Sequence, residues 1–146
     1  MPPGGTGRIR IYMDTSGYTG LVEKTVLVET DDPAEPEFSL IVKAKIITPI
    51  DVFPKKVYFV GKKNLLLRRD VEIKANLDRT LEIRPISFDL KDKMNYEIKE
   101  LEKGKRYKIS FVKLPSDERL IKGTFKLETN YPEMRYIEIR IKGYFR

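Results

Sequence analysis

Apolar and polar residues alternate along two neighbouring segments of the chain. In the first segment, Val26 and Val28 alternate with Leu27 and Glu29, and in the second the apolar residues share one face: Phe38, Leu40, Val42, Ala44 and Ile46. A period of two with β-branched residues indicates strands. Residues 30–37 between them are rich in Asp and Pro, which favour a turn because Asp bonds its own backbone and Pro has no ladder N–H. The pattern predicts a β-hairpin over residues 24–46.

The same pattern recurs at residues 123–145. These residues align with 24–46 at a constant offset of 99 without a gap, and the apolar positions keep their phase through both arms. The turn residues also correspond, as in the pairs Thr30 with Thr129 and Pro33 with Pro132. The match predicts an internal repeat of one β unit. At an offset of 98 it extends upstream, where Ile9 and Ile11 meet Tyr107 and Ile109.

The remaining pattern is also that of strands. Arg8–Met13 alternates and predicts a third strand in the first unit, whereas the Pro-flanked residues 50–53 are interpreted as a crossing between units. About seven short strands are predicted from residue 50 onward, and residues 96–103 also fit a short helix. The sequence thus predicts an all-β chain. A complete immunoglobulin-like β-sandwich at 49–146 follows a partial copy, the C-terminal half of the same unit, at 1–48.

The predicted first unit is too small to close a sandwich core. Three strands from about 40 residues leave an apolar face and free edges without partners. We expect the native protein to have more chain before Met1. The face could dock on the second unit, pair with another chain or stay partly disordered, and a homo-oligomer formed by exchange of this unit is one outcome.

The amino-acid composition limits the catalytic and metal-binding chemistry that is open to the chain. The chain has no Cys, His, Trp or Gln, so it lacks thiols and the most common general base and metal ligand. No residue pattern specifies a nucleophile with its activating base, and we predict a protein that is not an enzyme and has no cofactor or metal. Charged residues make up 35% of the chain. This fraction and the scarcity of amides resemble proteins of thermophiles, a hypothesis that a thermal melt tests.

The sequence leaves the compartment open. It contains no apolar run long enough to span a membrane, and residues 1–5 lack the charged start and apolar stretch of a secretory signal.

Positive charge is concentrated in the second unit. Residues 1–50 hold five Lys or Arg and seven Asp or Glu, a net charge of −2, and residues 51–146 hold 24 and 15, a net charge of +9. The candidate basic surface consists of Lys55, Lys56, Lys62, Lys63, Arg68 and Arg69. Such residues protect strand edges and solvate a surface, or they bind anionic polymers with Tyr58 and Phe59 stacking nearby. Nucleic acid is the less favoured ligand because no known nucleic-acid-binding signature is present.

An acidic turn and two tyrosines are further candidate sites. The acidic turn at 31–37 could hold a cation, but ordinary turn chemistry explains it better, because its copy at 130–136 has lost most of the charge. Tyr136 and Tyr144 are out of phase with Ile137, Ile139 and Ile141, which places them on an outer face as candidate partner contacts.

Residues 3–47 resemble a known family. A Pro-Gly turn (Pro3-Gly4) precedes an alternating strand, an Asp-Thr-x-Gly-x-x-Gly loop (Asp14 to Gly20), a Lys-Thr strand (Lys24-Thr25) and a Thr-Asp-Asp-Pro turn (Thr30 to Pro33). This order is similar to the C-terminal half of a bacterial domain-of-unknown-function family related to the Hydin and ASPM-type (ASH-like) immunoglobulin-like domains. Asp31 replaces the usual Asn. The resemblance implies an immunoglobulin-like module, often in tandem and in exported proteins, with binding or scaffold roles.

These observations favour a non-enzymatic module of protein–protein interaction or structural scaffolding that acts through sheet edges or an outer face. The alternative is a basic adhesion module that binds anionic polymers or nucleic acid through residues 55–84.

Overall fold

The computed structural model describes residues 4–146 and divides the chain into two compact units, Met1–Ile47 and Thr48–Arg146. Strands dominate both units. Within the described residues the single helix is a 3₁₀ turn at Pro132–Met134. The chain is therefore all-β, as predicted. The Pro3 of the predicted Pro-Gly turn lies outside the described residues.

Unit 1 is a two-stranded antiparallel sheet. Strand β1 (Gly20–Glu29) pairs along its whole length with strand β2 (Glu37–Ile46). The pairing sets Val28 opposite Phe38 and Val26 opposite Leu40, so the apolar residues of both arms share one face. The strands follow the predicted hairpin and are continuous because alternation and turn signals agree locally.

The predicted third strand at Arg8–Met13 is wrong. These residues adopt no regular structure, and within the described part of unit 1 strands β1 and β2 pair only with each other. An alternating segment becomes a strand only when a neighbouring strand accepts its backbone hydrogen bonds. The alternation of Ile9 and Ile11 indicates which side chains share a face, but it does not provide a neighbouring strand.

Unit 2 contains eight strands in two four-stranded sheets. They are β3 (Ile50–Phe53), β4 (Lys56–Gly61), β5 (Leu67–Ala75), β6 (Ile83–Phe88), β7 (Met94–Glu102), β8 (Arg106–Lys113), β9 (Leu120–Thr129) and β10 (Tyr136–Phe145). One sheet has the order β4-β10-β9-β6 and the other β3-β5-β8-β7. All pairings are antiparallel except that of β4 with β10.

The structure adds a strand where a crossing was expected. Residues Ile50–Phe53 pair with β5, and Ile50 and Val52 are buried. Pro49 and Pro54 lie just outside this strand, so neither removes a hydrogen-bond donor from its ladder. Pro85 is tolerated within β6 because β6 is an edge strand, and its register shifts between Pro85 and Ser87.

The core of unit 2 lies between the two sheets, in a sandwich-like arrangement. An aromatic cluster forms its centre, in which Phe125 contacts Phe111 and Phe88 with ring centroids 5.2 and 5.3 Å apart. The Tyr107 hydroxyl donates to the Leu81 carbonyl at 2.7 Å, which satisfies the polar end of a buried ring. Lys113 is also buried, and its ammonium donates to the Lys63 carbonyl.

Candidate binding surfaces

The outer face of the β4-β10-β9 sheet carries a group of cations. Along β10 the residues Ile137, Ile139 and Ile141 point into the core, so the residues between them point outward. The register sets Arg140 between Lys56 of β4 and Thr124 of β9. Lys142, two residues further, lies between Tyr58 and Lys122. The pairing therefore collects four cations from three strands.

These residues line a cavity of about 460 Å³, called the basic cavity below. Its side chains are Lys56, Tyr58, Lys122, Thr124, Arg140 and Lys142, together with Asp89. Asp89 is held by the backbone of β9, because its carboxylate accepts the Thr124 N–H at 2.9 Å and its own N–H donates to the Thr124 carbonyl at 3.1 Å. The cavity has a formal charge of +3.

Its cations lack ion-pair partners. Within residues 4–146, no carboxylate lies within 4.0 Å of the charged groups of Lys56, Lys122, Arg140 or Lys142. At the other end of the same sheet, by contrast, Glu128 binds both Arg84 and Arg135.

These two ion pairs lower the pKa of Glu128. The pKa of Glu128 lies below its usual value, first because the Arg84 side chain donates a hydrogen bond to its carboxylate and then because Arg135 does.

In the structure, the residues of the candidate basic surface do not lie together. Of its six residues, Lys56 alone lines the cavity. Lys55 precedes β4, and Lys62 and Lys63 follow that strand. Arg68 and Arg69 belong to β5 in the other sheet. Residues 55–84 therefore do not form one continuous surface on one sheet.

Both arginines of β5 are engaged. Arg68 donates to Ser110 Oγ at 2.7 Å and to the Asp70 carboxylate at 3.1 Å. The pKa of Asp70 is lowered, first by a hydrogen bond with Ser110 and also by Arg68. Arg69 donates from Nε to the Tyr58 carbonyl at 3.2 Å, and its guanidinium lies 5.8 Å from the Phe59 ring centroid.

Tyr136 and Tyr144 lie on the outer face of β10, but far from each other. They are eight positions apart, about 26 Å along a strand. Tyr144 is opposite two other exposed apolar residues, Val60 and Leu120. The Tyr136 ring has the Lys126 ammonium 4.7 Å from its centroid. The two tyrosines therefore belong to separate surfaces.

Sequence reasoning missed Lys122, Arg140 and Lys142. Arg140 and Lys142 have the same outward phase as Tyr136 and Tyr144, and this phase was the available signal. Lys122 could not be associated with them without the register between β9 and β10.

The acidic turn of unit 1 is held by ordinary turn chemistry. The Asp32 carboxylate accepts the Ala34 N–H at 2.9 Å, and Thr30 Oγ1 donates to the Glu35 carbonyl at 2.6 Å. Throughout residues 4–146, no three carboxylates are grouped so that they could hold a metal ion.

The apolar side of hairpin β1–β2 is the second candidate surface. We define the hairpin face as Val22, Val26, Val28, Phe38, Leu40, Val42 and Ile46. None of these side chains is fully buried, and residues 4–47 form no second sheet layer. The positions 99 residues later in β9 and β10 are at most 5% exposed, since the other sheet of unit 2 covers them.

The two hairpins share their register and their turn. Val28 pairs with Phe38 as Leu127 pairs with Ile137, at an offset of 99 in both strands. In each turn the Thr hydroxyl donates to a carbonyl five residues later, from Thr30 to Glu35 at 2.6 Å and from Thr129 to Met134 at 2.7 Å. The Thr N–H donates to a carbonyl six residues later at 2.8 Å in both.

Comparison with known proteins bears on the fold alone. No protein-family model matches the chain, and no curated protein is similar to it in sequence. A crystal structure of a protein of unknown function from Porphyromonas gingivalis W83 is similar, with a TM-score of 0.53 and 10% sequence identity. The similarity covers 89% of this chain and 68% of that protein. It agrees with an all-β, sandwich-like architecture.

No helix in the described part of the chain is long and apolar enough to cross a membrane.

Proposed function

We propose that the protein is a non-enzymatic module of protein–protein interaction or structural scaffolding. Its second unit is an immunoglobulin-like sandwich related to the Hydin and ASPM-type domains, and its first unit is a partial copy. The hairpin face is the observation that carries the proposal, because its residues are only partly buried, whereas their counterparts 99 residues later are buried between two sheets. A contiguous apolar surface that is only partly covered is typical of interaction sites.

The repeat supports the interpretation of unit 1 as an incomplete sandwich. The shared register and the shared Thr-centred turn are found at the same offset as the sequence match. In unit 2, hairpin β9–β10 is completed by β6 on one edge, β4 on the other and a facing sheet. The described residues of unit 1 form no strand that does the same for β1 and β2.

We infer that another polypeptide supplies those layers, and that a second copy of this chain is the simplest source. Exchange or pairing of identical elements between copies is a common route to dimers. The free edges of β1 and β2 add backbone hydrogen-bond donors and acceptors to the apolar face.

Light scattering coupled to size exclusion tests this proposal. The chain should self-associate in a concentration-dependent manner, and a charge on the hairpin face, Leu40→Lys, should abolish association. The matched control is Ile41→Lys, because Ile41 is on the opposite face and 59% exposed. Association should be insensitive to salt, since apolar contacts and backbone pairing are not screened.

A second experiment tests association with a different protein. Affinity capture in high salt should recover one defined partner with wild type and with Ile41→Lys, but not with Leu40→Lys. A chain that stays monomeric and captures nothing dependent on Leu40 contradicts the proposal.

A further inference from the structure

The basic cavity concentrates unpaired positive charge in a small area. We propose that it binds a short acidic peptide segment of a protein partner, in extended conformation, with carboxylates at alternate positions. The inference rests on the proposed interaction function and names the chemistry of a second contact, separate from the hairpin face.

Sheet geometry sets the spacing of the cations. Adjacent strands are about 4.8 Å apart, and alternate residues of one strand about 6.6 Å. Lys56 and Arg140 are therefore neighbours across strands, as are Lys142 and Lys122. Like charges placed directly opposite each other repel, and a bound carboxylate relieves that repulsion.

The same spacing favours an extended peptide. Residues i and i+2 of an extended chain lie on one side, about 6.6 Å apart, which matches the separation of Arg140 and Lys142. A Glu-x-Glu segment can thus set one carboxylate against each cation. Tyr58 and Thr124 add hydroxyl groups beside them.

The limits of the positive area argue against a polymer. Glu138 lies two residues before Arg140 on the same face, and Asp89 lines the cavity itself. Tyr58 is its single aromatic ring. Single-stranded nucleic acids are bound along grooves that follow the backbone and present successive aromatic platforms. A cavity bounded by carboxylates suits a short ligand.

Lys56, Tyr58 and Arg140 are exposed on the outer face of the sheet, whereas the outer edge of the sheet at β4 already accepts one side-chain hydrogen bond. β4 is an edge strand, but Arg69 donates to the Tyr58 carbonyl of that strand. A peptide is therefore bound across the outer face by its side chains.

Fluorescence anisotropy with the full chain tests the inference. The probe is a labelled, end-capped hexapeptide of sequence Ser-Glu-Ser-Glu-Ser-Glu at low salt. Arg140→Ser with Lys142→Ser should weaken binding about tenfold or more. Lys103→Ser with Lys105→Ser is the matched control, because it removes the same charge from the β7–β8 turn of the other sheet and should leave affinity within about twofold.

Two further measurements separate a specific site from general attraction. The exchange Arg140→Lys with Lys142→Arg should retain binding, and Ser-Ser-Ser-Glu-Glu-Glu should bind less tightly than the alternating peptide. Equal loss in the control variant, or tighter binding of a thymidine oligonucleotide of equal charge, overturns the inference. So does no detectable binding of the alternating peptide by a folded wild-type chain.

The peptide-binding test is independent of the association test with Leu40→Lys. Leu40→Lys should bind the peptide as wild type does. If peptide binding fails while Leu40-dependent association persists, the inference about the cavity falls and the proposed function stands. If the peptide binds but no Leu40-dependent association is found, the proposed role of the hairpin face falls.

Discussion

Phe125 holds the aromatic centre of the sandwich. It contacts three other rings, those of Phe88, Tyr96 and Phe111, at centroid distances of 4.6 to 5.3 Å. Phe125→Ala should lower the free energy of unfolding by about 3–5 kcal/mol because it leaves a cavity among rigid rings. Denaturant titration measures the loss. Tyr144→Ala, at a half-exposed aromatic on the same sheet, should cost far less, and equal costs would contradict this account of the core.

Glu128 makes the stability of the second unit dependent on pH. Its pKa is lowered in the folded state, so the native chain binds fewer protons there than the unfolded chain. Its contribution is present above the unfolded pKa of about 4.5 and is lost as the pH falls through the lower folded value. Glu128→Gln should therefore be less stable than wild type at pH 7, and the difference should disappear in acid.

Unfolding titrations between pH 7 and pH 2 give that comparison. Glu138→Gln is the control, since no cation lies within 4.0 Å of Glu138 in the described residues. A difference between Glu128→Gln and wild type that persists at pH 2 would contradict the ion-pair origin.

Individual site residues were only partly predictable from the sequence. A search along the chain finds neighbours in sequence, such as Lys55 and Lys56, whereas the cavity joins Lys56 to Arg140 across strands. The phase of β10 identifies outward residues, but it does not tell which strand lies beside them.

At the level of elements, the turns of the two hairpins make a matched pair. Thr129 is buried; its hydroxyl accepts the Tyr131 N–H at 3.1 Å and donates to the Met134 carbonyl. Thr129→Val should cost about 1–3 kcal/mol because both groups lose their partner. Thr124→Val is the control because its hydroxyl makes no hydrogen bond within residues 4–146.

The turn of hairpin β1–β2 gives a direct comparison. Thr30→Val removes the same two hydrogen bonds from a turn that is open to water, so the smaller effect is expected there. Thermal melts of both variants measure it. A larger loss from Thr30→Val would contradict the view that burial sets the cost.

Elements were predictable where the signal is local. Both hairpins follow from alternation and turn residues within about 25 positions, and their register is found as the apolar phase requires. The Arg8–Met13 strand was wrong and the Ile50–Phe53 strand was missed for one reason: a strand depends on a partner that the local pattern does not show.

For the whole molecule, the two units should differ in local stability. None of the described residues of unit 1 is fully buried, and an isolated two-stranded hairpin is marginally stable in water. Hydrogen exchange should therefore show little protection for amides of β1 and β2 in dilute monomer and strong protection for β9 and β10.

Hydrogen exchange of the self-associated chain gives the corresponding comparison. Under conditions where the chain self-associates, β1 and β2 amides should gain protection, and those of Leu40→Lys should not. Equal protection of both hairpins in dilute monomer would contradict the proposal that unit 1 is an incomplete sandwich.

The parallel pairing of β4 with β10 has a consequence for biosynthesis. Val57 lies beside Ile141, 84 positions later in the chain, and β10 is an interior strand between β4 and β9. Until the ribosome has released β10, β4 and β9 expose the edges and apolar side chains that β10 will cover. We therefore expect the sandwich to close late and slowly, as is typical of a topology with many distant contacts. A nascent chain paused before residue 136 is the form of this protein that most needs a chaperone.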